Sequence, residues 1–132
     1  MFNSIKTTKE NRNRIALLTK KLSLGSENII ARLAFAYSIS SDKKFDLTKI
    51  DDSQGKEYSY KVLFGDYGVI YIAMLCVHYN LHKTDRDIPK YVKKHIDDGL
   101  IQLEKDLSKR SGTGIDFLIK KIDLGLKDIN DA

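Results

Sequence analysis

The sequence predicts a mainly α protein: one compact domain over residues 1–132, with about five helices and one short extended segment. Two observations predict it. Apolar residues recur at steps of three and four over most of the chain, the period of a helix with one buried face. And 132 residues is the length of a single domain, enough to bury about two-thirds of the unfolded surface.

The first helix is expected over residues 8–22, where Ile15, Leu18 and Leu22 form its apolar stripe. Lys9, Asn13, Ala16 and Lys20 follow one another on the opposite side, flanked by Arg12, Arg14 and Lys21. Gly25 is placed to end it, since glycine accepts the left-handed conformation that stops a helix. Ser26 can cap a second helix over 27–40. Its "IIARLAFAYSI" is apolar nearly all round, so either the fold or a partner subunit must cover it.

Residues 41–56 are polar and read as a loop. "EYSYKVLF", residues 57–64, alternates Tyr58, Tyr60, Val62 and Phe64 on one side, which suggests an extended segment. Gly65 breaks it and Asp66 can cap a third helix over 67–81; β-branched and aromatic residues make a strand the alternative there. After a loop at 82–88, Pro89 suits the first turn of a fourth helix, with Asp87 as its cap. Tyr91, Val92, Ile96, Leu100, Leu103 and Leu107 carry its stripe to about Arg110, with Gly99 tolerated inside. "SGTG" interrupts the chain, and a last helix over 114–127 turns Ile115, Leu118, Ile119 and Ile122 inward. The N-terminal arm, residues 1–7, receives no assignment; disorder is one option.

Charge is distributed unevenly. The formal net charge is +5. Residues 1–44 hold nine Lys/Arg and three Asp/Glu, or +6, and residues 45–132 hold fourteen and fifteen, or −1. A basic segment of this kind is an electrostatic footprint for phosphate. The single cysteine, Cys76, allows no internal disulfide and fits a reducing cytosol. No signal-like apolar core opens the chain. The longest apolar run, Val69 to Leu81, is short for a bilayer span, so a cytoplasmic protein without a membrane partner is expected.

Few residues suggest chemistry. The basic line of the first helix, with Lys9, Arg12, Arg14, Lys20 and Lys21, can meet successive phosphates without reading sequence, or can be an ordinary solvated face. Arg32 interrupts an apolar helix; it is either paired with a carboxylate inside or emerges at an edge to meet phosphate. His78 and His82 have a metal-compatible spacing, but nothing nearby completes a ligand set. "KRSGTG", Lys109 to Gly114, could hold an anion at a helix start, or be a simple turn. No catalytic residue, cofactor or metal site is expected.

Three blocks then resemble the DndE family, the small subunit of the bacterial Dnd DNA phosphorothioation system. "LLTKKLSLGSENIIARLAFAYSIS" is similar to its basic helix, turn and following helix at Lys20, Lys21, Gly25, Asn28, Arg32, Leu33, Ala34 and Ser38. "GKEYSYKVLFGDYGVIYIAML" matches a second block at Gly55, Glu57, Leu63 and Gly65, and "HIDDGLIQL" a third at His95, Gly99 and Leu103. The turn departs from the family's usual Thr-Gly and Pro-Asn pattern, and the basic cluster is reduced to Lys20-Lys21. The resemblance implies a helical homotetramer that binds DNA, favouring nicked duplex. Its implied partners are a PAPS-reductase-like iron–sulfur protein and an SMC-like ATPase, which carry the sulfur chemistry. The alternatives are an assembly adaptor that never touches DNA, a helix-turn-helix-like regulator, and a metal-dependent nickase using Glu57, His95 or Asp98.

Overall fold

The computed structural model describes residues 2–49, 51–109 and 114–131. In chain order its elements are β1 (Ser4–Lys6), α1 (Lys9–Leu22), α2 (Glu27–Ser40), β2 (Glu57–Ser59), α3 (Tyr60–Phe64), a 3-10 turn (Gly65–Tyr67), α4 (Gly68–Tyr79), α5 (Ile88–Ser108) and α6 (Gly114–Asp131). The Thr8 hydroxyl caps α1 by accepting the Asn11 amide. Ser23, not Gly25, ends it, in the left-handed region at φ 51° with its amide donating to the Thr19 carbonyl. Ser26 occupies the cap position of α2, but its hydroxyl turns to the Asn28 side chain and caps no amide.

The N-terminal arm contributes a strand over Ser4–Lys6. β1 pairs antiparallel with β2, Ile5 opposite Tyr58, and both of these side chains are buried. The extended segment expected over 57–64 is correct only for its first three residues. Ser59 accepts the Val62 amide at 3.2 Å and starts a helical turn, a capping bond that competes with further strand pairing. The alternation of sequence is thereby undone: Leu63 and Phe64 are buried side by side, while Val62 is 53% exposed. Asp66 lies inside the 3-10 turn, and the next helix starts at Gly68.

The core lies where α2 runs along α5, with α1 and α4 packed against it. Gly99 is required there rather than merely tolerated. A Cβ on Gly99 would lie 1.9 Å from the Ala34 carbonyl oxygen, so only glycine lets α2 and α5 approach this closely. Ile30, Ala31, Ala34 and Phe35 of α2 are fully buried; the chain itself covers this helix. α4 differs. Ile72 and Leu75 point inward, whereas Val69, Ile70 and Val77 are 72%, 58% and 83% exposed.

Candidate nucleic-acid interface

The apolar stripe of α1, Ile15, Leu18 and Leu22, is fully buried, and this fixes the direction of its other face. Lys9, Arg12, Asn13, Ala16, Lys20 and Lys21 are all exposed. Lys9, Arg12, Lys20 and Lys21 make no ion pair among the described residues. From Lys9 to Lys20 the helix rises about 17 Å, close to five base-pair steps of 3.4 Å along a duplex. Lys20 and Lys21 stand in the last turn, where the helix dipole favours cations.

Arg14 and Arg32, expected among the contacts, are held by the protein's own acceptors. The Arg14 guanidinium bonds Asn11 Oδ1 at 2.5 Å and Glu10 at 2.8 Å and lies 3.4 Å from Glu104; its side chain is 13% exposed. Arg32 has no carboxylate partner among the described residues. Its Nε donates to the Leu63 carbonyl at 2.5 Å and its Nη2 to the Val62 carbonyl at 3.3 Å. Those are two of the carbonyls that α3 leaves without an intrahelical partner, so Arg32 ties α2 to the end of that short helix. Gly65 follows at φ +58°, and a Cβ there would meet Arg32 Nη2 at 3.0 Å.

His95 is fully buried and its bonds are complete. Nδ1 lies 2.8 Å from Ser38 Oγ and Nε2 lies 2.6 Å from the Tyr79 hydroxyl. Ser38 spends its only proton on Asp98 Oδ2, 2.7 Å away. Nδ1 of a neutral His95 therefore carries the proton and donates to Ser38, and Nε2 accepts from Tyr79. Tyr79 in turn accepts the Phe45 amide at 2.9 Å, which fastens the 41–56 loop to the core. Burial, then the nearby His78, pushes His95 down to about 4. This is a structural histidine with no open face for a substrate.

The other candidates resolve similarly. His78 Nε2 meets the Lys43 carbonyl at 2.5 Å, and His82 bonds Thr84; among the described residues no group of three or more His, Cys, Asp or Glu could hold a metal ion. Glu57 accepts the Ser4 hydroxyl at 2.7 Å across the β1–β2 pair, and among the described residues no hydrogen bond or ion pair joins it to His95 or Asp98. Most of KRSGTG, Arg110–Thr113, lies outside the described residues. α2 is enclosed by α1, α3, α4 and α5, so it cannot enter a groove as a recognition helix.

Contacts join the three sequence blocks. Ser38 meets His95, Ala34 meets Gly99, and Arg32 meets the Leu63 carbonyl beside Gly65. The family model described as "DNA sulphur modification protein DndE" matches residues 4–111. The chain belongs to the DndE family. Two solved structures share its fold. DndE from Escherichia coli B7A, involved in DNA phosphorothioation modification, has a TM-score of 0.65 at 19% identity, over 76% of this chain and 96% of that one. A glycine-to-lysine DndE mutant involved in DNA phosphorothioation has a TM-score of 0.64 at 21% identity, over 78% and 98%. No curated protein matches. In this DndE-family chain, then, the shared motif residues are chiefly those that pack the blocks together, while the basic face of α1 is built on top of that packing.

Proposed function

We propose that this DndE-family protein is a non-catalytic DNA-binding subunit of the phosphorothioation machinery, holding the phosphate backbone of double-stranded DNA, preferentially nicked. One observation carries the reading: four cations on a single exposed helix face, Lys9, Arg12, Lys20 and Lys21, with no ion pair among the described residues to satisfy them. Arg14 and Arg32 serve this surface from behind, Arg14 by bracing α1 against α5 and Arg32 by fixing α2 against α3. A PAPS-reductase-like iron–sulfur protein and an SMC-like ATPase remain the partners proposed for the sulfur chemistry, in the cytoplasm.

The exposed side of α4 supports a homo-oligomer, proposed as a tetramer. Ile39, Val69, Ile70, Ala73, Met74 and Val77 form an open apolar groove with no lysine, arginine or carboxylate in its lining. Water contact along such a stripe is unfavourable, and pairing it with a second copy desolvates no charge. By length and composition alone Tyr60–Tyr79 could cross a membrane, but the break at Gly65 divides it and leaves α4 about 18 Å long, short of the roughly 30 Å hydrocarbon layer.

The test is binding to matched nicked and intact duplexes of about 30 base pairs across a salt series, with light scattering for mass. A nicked-duplex preference with a steep salt slope is expected. Lys20→Ala/Lys21→Ala should flatten that slope by about two contacts at 0.9 each and leave the circular dichroism unchanged. No binding to either duplex would move the function to the adaptor reading, for which the bare α4 face is the supporting observation.

A further inference from the structure

We infer that a cleft between the 47–53 loop and the first turns of α5 is a second phosphate site, which takes a backbone oxyanion beyond the N-terminal end of α1. The inference rests on the DNA-binding reading above. The cleft holds about 290 Å³ and is lined by Leu47, Lys49, Asp51, Lys90, Lys93 and Lys94 among others. A water molecule takes about 30 Å³, so a tetrahedral oxyanion fits with several waters around it. Four lysines against one aspartate give the lining +3.

Two of these lysines are fixed and two are adjustable. The side chains of Lys93 and Lys94 are 16% and 15% exposed, held by Asp97 at 2.7 Å and Asp51 at 3.1 Å. Asp97 also accepts from the Thr8 amide and the Asn11 side chain, so Lys93 is anchored to the start of α1. Lys90 is 69% exposed and loosely paired with Asp87 at 3.3 Å; Lys49 makes no ion pair among the described residues. Counting Asp87 and Asp97 as well leaves a net +1. Solvent-exposed pairs such as Lys90–Asp87 are weak and yield readily to a phosphate that Lys49 and Lys90 approach together.

The cleft is continuous with the basic face of α1. Asp52 accepts the Lys9 amide at 2.7 Å and the Gln54 amide at 3.1 Å. Those two amides, followed by the charges of Lys93 and Lys9, hold its carboxyl below the ordinary range. One ionised carboxylate is thus flanked by a lysine of α1 and a lysine of the cleft. A backbone that follows Lys20, Arg12 and Lys9 runs directly into Lys49, Lys90, Lys93 and Lys94.

The experiment compares wild type with Lys49→Ala/Lys90→Ala, both exposed positions, in duplex binding across a salt series. Loss of two phosphate contacts should flatten the slope by about 1.8 and weaken binding by tenfold or more at about 0.1 M salt. An unchanged slope, in a protein whose binding still drops on Lys20→Ala/Lys21→Ala, overturns the cleft and leaves the DNA reading intact. Should wild type bind no duplex, the DNA reading falls, and inorganic phosphate decides the cleft. Saturable amide shifts at residues 47–53 and 90–94, absent in the variant, would keep an oxyanion site for free phosphate; no shifts would overturn it.

Discussion

α2 and α4 are the two most apolar of the longer helices, and they have opposite fates. α2 is enclosed on its long side by α5 and closed off by α1, α3 and α4. α4 packs through Ile72 and Leu75 and leaves Val69, Ile70 and Val77 to the outside. By composition α2 was the helix that the fold or a partner subunit had to cover; the fold covers it, and α4 is the helix left with exposed apolar residues. Apolar content measures how much surface must be hidden. Which neighbour hides it depends on how the other elements are laid out, and α5 runs along α2 while touching α4 only lightly.

The largest effect should come from the seam that buries α2. Gly99→Ala forces a Cβ into the Ala34 carbonyl, and with backbone on the receiving side relief requires α2 to move. The expected loss is at least the 1–3 kcal/mol of ordinary overpacking, read as a lower denaturant midpoint. Wild-type stability in that variant would mean that α2 and α5 are not in this contact.

Next comes acid, which attacks the same seam through His95. Its value of about 4 in the folded chain lies below the ordinary 6.5, so the unfolded chain takes up the proton first as pH falls. The stability linked to a neutral His95 is fully present above pH 6.5 and is lost as pH falls from 6.5 to about 4. The loss totals about 3 kcal/mol. Ser38, Tyr79, His78, Asp98 and Lys43 surround or influence the ring, and Asp98 already holds a proton donor in Ser38. Denaturant titrations at pH 7 and pH 4.5 on wild type and His95→Gln measure it; equal pH slopes in the two proteins would exclude this origin.

Arg32→Ala is expected to cost about 1–3 kcal/mol, because the Leu63 carbonyl loses its donor and the Val62 carbonyl keeps only that of Asn28. The smallest change in stability belongs to α4. Val77→Lys, at a position 83% exposed, should leave the monomer within about 0.5 kcal/mol of wild type, yet reduce the mass seen by light scattering. A variant that unfolds would instead mark the α4 face as part of the monomer core.

Much of the fold was legible because its determinants are local. The α1 stripe, the position of Pro89 in the first turn of α5 and the extent of α2 all follow from spacing and turn residues within a few positions. The misreadings have one physical form. Alternation over 57–64 indicated a strand, but Ser59 switches the chain to a helix through a bond to Val62. Gly25 had the right composition for a helix stop, and Ser23 stopped the helix two residues earlier. The cleft lysines were invisible for a different reason: Lys49 and the "KYVKK" stretch of α5 sit in a part of the chain whose charges sum to −1, and only folding brings the two together.

The sequence by itself determined that this chain is helical, that α1 presents cations opposite a buried stripe, and that its blocks are those of the DndE family. Periodicity, charge order and motif spacing are properties of neighbours along the chain, and they survive without coordinates. Tertiary structure alone decided that Gly99 is a helix-crossing contact, that Arg32 holds carbonyls and not a carboxylate, that His95 is a closed hydrogen-bonded group, and that α4 is the helix left bare. Each of those depends on residues sixteen or more positions apart meeting within a few ångströms, or on no residue arriving at all.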